Sequence, residues 1–121
     1  MPSARPTLII TRPEPDAEQF AQQARVALSS KVEVICAPLL EIEPLPYVIH
    51  FSHDEQVIFT SRNAVRFAPN GAGRVAFCVG QRTAQLALAA GYRAVSADGN
   101  ASDLITLLTA QSSGPLVHVR G

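Results

Sequence analysis

Residues 57–65 read Val57-Ile58-Phe59-Thr60-Ser61-Arg62-Asn63-Ala64-Val65. The opening apolar run fits a fully buried strand. It switches abruptly to Thr60–Asn63, four residues rich in hydrogen-bond donors. Ser61 or Asn63 can cap a helix, and Ala64, Val65 and Phe67 supply its apolar start. A buried strand running straight into a capped helix is half of a βαβ unit. In such units the strand's carboxyl end meets the helix's free N–H groups at one edge, where anions bind readily. Arg62 adds a fixed positive charge there. The stretch predicts an α/β fold with an anion-binding rim.

The same switch recurs along the chain. Thr7–Ile10 is a strand ending in Thr11-Arg12-Pro13. Pro13 and Pro15 delay the next helix to about Asp16, and Phe20, Ala24, Ala27 and Leu28 mark one face of it. Residues 32–36 form a second strand, so the first 37 residues read β-α-β. Pro38 to His50, punctuated by Pro44 and Pro46, predicts an extended segment or edge ladder that connects two structural units. One long loop inside a single domain is the alternative. A strand over 74–79 ends in Gly80-Gln81-Arg82-Thr83, and Ala84 to Ala90 continues as a helix with Gly91 placed to end it. A short strand over 93–96, a helix bearing Leu104, Leu107 and Leu108, and a strand over 116–119 follow, ending in Arg120-Gly121. Parallel sheets need helices on both faces, so a sheet continuing beyond Gly121 is expected.

The 121 residues suffice for a real core, and 47% apolar against 17% charged residues excludes disorder. No apolar run approaches membrane-spanning length, and the N-terminus lacks a signal-peptide apolar region. Cys36 and Cys78 lie in apolar runs and read as buried thiols, which points to a reducing, cytoplasmic setting. The net charge of zero is unevenly spread. Eight acids fall between Glu14 and Glu55, whereas residues 56–97 hold none and carry Arg62, Arg66, Arg74, Arg82 and Arg93. Arginine's planar fork suits carboxylates and phosphates, although a solvated basic helix face would look the same.

No metal or nucleophile signature stands out. His50 and His53 have no third ligand nearby and read as surface-loop residues. His118 reads as a satisfied sheet histidine, and Gly71-Ala72-Gly73 precedes its strand, unlike a dinucleotide fingerprint. Glu41 and Glu43 read as solvated residues of the connector, and the Asn100 sequon has no use in a cytoplasmic protein. What remains are four donor-rich sets: Thr11-Arg12, Thr60–Asn63, Gly80–Thr83 and Arg120-Gly121. If the strands run parallel, all four fall at carboxyl ends, and together they suit a polyanionic small ligand. Helix capping alone is the competing explanation for each.

At these residues the chain resembles the N-terminal half of the uroporphyrinogen-III synthase family. The resembling text is Leu-Ile-Ile-Thr-Arg-Pro at 8–13, Ala-Pro-Leu-Leu-Glu-Ile-Glu-Pro-Leu at 37–45, Ile-Phe-Thr-Ser-Arg-Asn-Ala-Val at 58–65, Val-Gly-Gln-Arg-Thr-Ala at 79–84 and Val-Arg-Gly at 119–121. The resemblance implies flavodoxin-like parallel-sheet units flanked by helices, in a two-domain synthase architecture that this chain truncates. Residues 1–37 would open a discontinuous first domain, 38–50 would be the Pro-rich crossover, and 51–121 would begin the second α/β domain. The family's tyrosine would lie beyond Gly121, and neither Tyr47 nor Tyr92 matches it.

The implied reaction closes hydroxymethylbilane into uroporphyrinogen III, with inversion of ring D and loss of water. It is a cyclising hydro-lyase step of porphyrin and heme biosynthesis. Carried over by motif position, the substrate contacts are Arg12, Thr60, Ser61, Arg62, Asn63, Gly80 and Thr83, with Arg120 added at the last junction. No catalytic acid or base, cofactor or metal is implied, and neither nucleic acid nor membrane is a partner. The family resemblance implies a monomeric full-length protein. The uncovered sheet predicts self-association or partial disorder, and little turnover by residues 1–121 alone. A non-catalytic α/β module binding a polyanionic small ligand is the alternative. A phosphoacceptor signalling domain fits poorly, because its strand ends would carry acids.

Overall fold

A computed structural model describes residues 5–46 and 48–120. Gly121 of the last resembling motif, and Tyr47, lie outside the described residues. The chain divides into two compact units, Met1–Leu45 and Pro46–Gly121.

In the first unit, β1 (Thr7–Ile10) leads through α1 (Asp16–Leu28) and a 3₁₀ turn (Ser29–Lys31) to β2 (Glu33–Cys36). β1 and β2 pair in parallel, Thr7 opposite Glu33 through Ile10 opposite Cys36. Asp16 and Glu18 in the first turn of α1 and Arg25 in its last complement the helix dipole. The buried face of α1 differs from the one its larger apolar residues suggest. Ala17, Ala21 and Ala24 are buried, whereas Phe20 and Leu28 are each 38% exposed and Ala27 is exposed. Small side chains let the helix lie close on Ile10, with Leu8, Val34 and Cys36 packed around it. Phe20 lies under the Arg12 guanidinium, 4.8 Å from the ring centre. Cys36 is only half-buried, in contrast to the buried thiol expected.

No helix or strand occurs between β2 and residue 56 among the described residues, so the expected edge ladder is absent. Leu39, Leu40, Leu45 and Val48 are exposed there. Alternation with proline breaks the N–H series that a ladder would need.

The second unit holds β3 (Gln56–Phe59), α2 (Arg62–Phe67), β4 (Val75–Cys78), α3 (Gln81–Ala89), β5 (Arg93–Ser96), α4 (Ala101–Gln111) and β6 (Leu116–Val119). Its four strands are all parallel, in the order β5-β4-β3-β6. Both units are thus parallel α/β structure of the flavodoxin-like type. The chain steps outward from β3 to β4 to β5, then returns past its starting strand to β6. Right-handed crossovers therefore place α2 and α3 on one face of the sheet and α4 on the other. Contacts agree: α2 packs on β3 and α3, α3 on β4 and β5, and α4 on β4.

Register explains the core. Val57 lies opposite Ala76 and Phe59 opposite Cys78, and all four are buried with Ala64, Val65, Ala84 and Ala87. Tyr92 closes the cluster, edge-on to Phe59 at 5.1 Å, with its hydroxyl donating to the Pro69 carbonyl at 2.6 Å. Phe77 points to the opposite face and is buried, as is Leu104 of α4. Gln56 ties the start of β3 to the segment before β6, donating from Nε2 to Ser113 Oγ and accepting from the Ser113 N–H, both at 3.1 Å. Gly91 ends α3 at φ +92°, as its place in the sequence suggests. No helix among the described residues is long and apolar enough to cross a membrane.

Two outcomes follow from this core. A Cβ on Gly71 would lie 2.5 Å from Tyr92 Cγ and 2.6 Å from its backbone nitrogen. Gly71→Ala should therefore cost about 1–3 kcal/mol in urea unfolding, and an unchanged midpoint would contradict the packing. Burial pushes the Cys78 thiol up to about 11 from its ordinary 9.0. The unfolded thiol ionises first as pH rises, so the native state then holds the extra proton. Stability should be intact below about pH 9 and fall toward pH 11, by up to about 2–3 kcal/mol from this group. Cys78→Ala should show a shallower alkaline fall in denaturation midpoints, and parallel curves would contradict this.

Candidate functional site

Parallel pairing puts every strand's carboxyl end on one edge of the four-stranded sheet. Thr60–Asn63 follow β3, Gly80–Thr83 follow β4, Asp98 follows β5 and Arg120 follows β6. The order of strands reverses between β3 and β6, the switch point at which open α/β sheets bind ligands. Arg12 lies at the carboxyl end of β1, on the sheet of the other unit.

At β3 the backbone leaves the core within one residue: Phe59 is buried and Thr60 is exposed. Ser61 is the residue that caps α2. Its Oγ accepts from the N–H groups of Asn63 at 3.1 Å and Ala64 at 3.4 Å. Asn63 supports the turn from inside, its Oδ1 accepting from Arg66 Nη1 at 2.7 Å. Its amide N–H groups remain as its donors. Thr60 Oγ1 lies 2.9 Å from His118 Nε2 on the neighbouring strand β6. His118 is thus satisfied, but by a rim residue and at an exposed position.

At β4 the arrangement differs from the sequence reading. The helix begins at Gln81, three residues before Ala84, so Gln81, Arg82 and Thr83 form its first turn. Gly80 is the N-cap residue and supplies no side-chain cap. The initial N–H groups of a helix need partners from outside it, and an anion satisfies both them and the dipole. A Cβ built on Gly80 would meet nothing within 4 Å, so the space before this turn is open. Gln81 and Arg82 are exposed, whereas Thr83 is buried at 6% exposure. Asp98 holds Gln81, its Oδ1 accepting from the Gln81 amide and from the Ser96 hydroxyl.

The basic stretch separates by position. Arg62 and Arg82 belong to the carboxyl edge, where Arg120 joins them. Arg74 and Arg93 start their strands and lie at the amino edge. Arg74 is a structural residue: Nη1 donates to the Ser52 carbonyl at 2.8 Å and to the Glu55 carbonyl, and the guanidinium lies 4.8 Å from the Phe51 ring centre. A shallow depression of about 450 Å³ opens on this amino edge, lined by His53–Gln56 and Gly71–Val75. Hydrogen bonds from Ser52 hold the Glu55 carboxyl below its ordinary value, with Arg74 adding to the effect. Arg74 on this edge is thus committed to holding loops.

Sequence reading missed three groupings that folding creates. Two are the Thr60–His118 pair and the Gln81–Asp98 pair. The third is Glu14, Glu18 and Cys36, whose ligand atoms lie within 4.8 Å of one another in the first unit. Glu18 Oε1 takes Arg25 at 3.1 Å, and the Cys36 thiol donates to Ala17 and Glu18 oxygens. Burial and the two carboxylates raise the Cys36 pKa, so the thiol stays protonated. The spacing Glu14–Glu18 and the pairing of β2 beside α1 were the available signals.

The family model described as uroporphyrinogen-III synthase HemD matches residues 21–121. No curated protein matches the chain significantly.

Removing the cap isolates the role of the first rim segment. Ser61→Ala should cost about 1 kcal/mol of stability, and Ser61→Asp should restore it, because aspartate caps as well. Equal denaturation midpoints for wild type and Ser61→Ala would show that the cap carries no weight.

Proposed function

The chain belongs to the uroporphyrinogen-III synthase family, and from that premise we propose that the carboxyl edge of its four-stranded sheet binds hydroxymethylbilane for closure to uroporphyrinogen III. The observation that carries the reading is the gathering of Thr60–Asn63, Gly80–Thr83 and Arg120 on that one edge, with an uncapped helix start and open space at Gly80. In this reading residues 1–37 open a discontinuous first domain, 38–50 cross over, and 51–121 begin the second domain.

The substrate carries many acetate and propionate groups. Carboxylates match arginine forks, hydroxyl and amide donors and the N–H groups at a helix start. The hydroxymethyl group departs readily, since electrons from the pyrrole nitrogen expel its oxygen, which leaves as water. The difficult part is the choice of which ring D carbon attacks. Free closure uses the unsubstituted position, whereas the type III product needs the substituted one. Holding the chain in a single bent conformation selects that attack, so rate and outcome come from orientation and from binding the transition state better than the substrate. Ser61, Asn63 and Gly80 sit on turns fixed by hydrogen bonds or helix starts, which is what orientation of a flexible ligand requires.

A single-turnover experiment tests this. Hydroxymethylbilane is mixed with an excess of the protein, and the porphyrins formed after oxidation are resolved into isomers. The type III fraction should rise with protein concentration. Gly80→Ala should keep the wild-type melting temperature yet lower that fraction, because its methyl enters the space before α3. Type I product alone at every protein concentration would overturn the synthase reading. If hydroxymethylbilane still bound under those conditions, the chain would be a binding module.

A further inference from the structure

We propose that His118 is a positioning residue that sets the direction of the Thr60 hydroxyl, and through it makes polycarboxylate binding at this edge linked to proton uptake. The inference rests on the proposed binding reading and adds a residue to it. Thr60 follows β3 and His118 lies in β6, directly across the switch point, with Ile58 as the register partner of His118. Thr60 Oγ1 and His118 Nε2 are 2.9 Å apart, and both residues are exposed.

A threonine hydroxyl has one hydrogen to give and two lone pairs to accept with. When His118 is neutral with its proton on Nδ1, Nε2 accepts the Thr60 hydrogen. Thr60 then offers only lone pairs to a ligand, which a carboxylate cannot use. When Nε2 carries a proton it donates to Oγ1, and the Thr60 hydrogen turns outward to donate to a carboxylate. The imidazolium must take this second arrangement, because both of its nitrogens are donors. It also brings a positive charge to the rim, which strengthens a hydrogen bond to an anion. A bound polycarboxylate therefore favours protonated His118, and by linkage protonation favours binding.

The surroundings do not oppose this. β6 is an edge strand paired only with β3, which carries no ionisable side chain. The ionisable groups of the adjoining elements are Arg62 and Arg66 in α2, Arg120 after β6 and Asp103 in α4. Asp103 is held in the Asn100 capping box in the first turn of α4, which leaves β5 on the opposite side of the sheet from β6.

The test uses uroporphyrin I, a stable tetrapyrrole polycarboxylate, as the probe. Its affinity for the wild-type protein should be several-fold tighter at pH 6 than at pH 8, a one-unit rise in a group's pKa on binding being worth at most tenfold. His118→Gln keeps a permanent donor near the Nε2 position without titrating. It should bind with little pH dependence and near the strong limit of the neutral donor form. His118→Phe should bind more weakly and without that dependence, and Thr60→Val should bind more weakly with only the smaller dependence that the imidazolium charge leaves. The ring nitrogens of His118, followed by NMR, should titrate at higher pH with the probe bound, which a purely structural histidine would not show. Equal pH dependence in wild type and His118→Gln, or an unmoved His118 titration, would overturn the proposal while leaving the binding reading intact. Absence of uroporphyrin I binding by wild type at either pH would overturn both.

Discussion

Parallel pairing of β3 with neighbours on both sides is the constraint on which the second unit depends. It fixes β4 and β6 in register with β3 and brings all their carboxyl ends to one edge. It also makes β3 inaccessible on its lateral sides, so its side chains are divided between two covered faces. The Gln56 amide secures this arrangement at one end by closing on Ser113. The core cluster secures it along its length, with Phe59 and Val57 fully buried. Reversing any one pairing would send a donor-rich junction to the opposite edge, beside Arg74 and its loops.

Core and rim are separated by a single peptide. Phe59 is wedged against Tyr92, and the next residue, Thr60, is open to solvent beside His118. Ser61 then turns the chain into α2 by taking two of its first N–H groups. The rigidity of the rim is therefore borrowed from the core, without an added loop. The same economy holds at Cys78 and Gly80, where a buried strand end leads into the uncapped start of α3. For a ligand whose chemistry is governed by conformation, short connections of this kind matter more than any single acid or base.

Much of this was legible in the sequence, for physical reasons that can be named. Apolar runs followed at once by Thr, Ser, Gly or Arg mark strand ends reliably, since a buried strand tolerates few polar residues and a helix start wants caps. Gly91 and Asn100 marked helix ends for the same kind of reason. The face of α1 was not legible, because side-chain size pointed to Phe20 and Leu28, whereas close packing on a two-stranded sheet selected Ala17, Ala21 and Ala24. The start of α3 was missed because Gln81–Thr83 are polar and carry no conventional cap. At the candidate site, the junction residues were readable, but pairings across strands were not. Thr60 and His118 are 58 residues apart in sequence, and only the register of β6 on β3 joins them. The arginines could be counted but not sorted, since whether each begins or follows a strand decides which edge it serves.

The proposed anion site lies on the carboxyl edge of the four-stranded sheet. Backbone amide shifts measured by NMR, as uroporphyrin I is added to the full chain, test it directly. The account predicts saturable shifts confined to residues 60–63, 80–83 and 118–120, with the amino-edge residues 53–56 and 71–75 unmoved. Shifts centred on the amino edge, or no saturable shifts at the carboxyl edge, would contradict it.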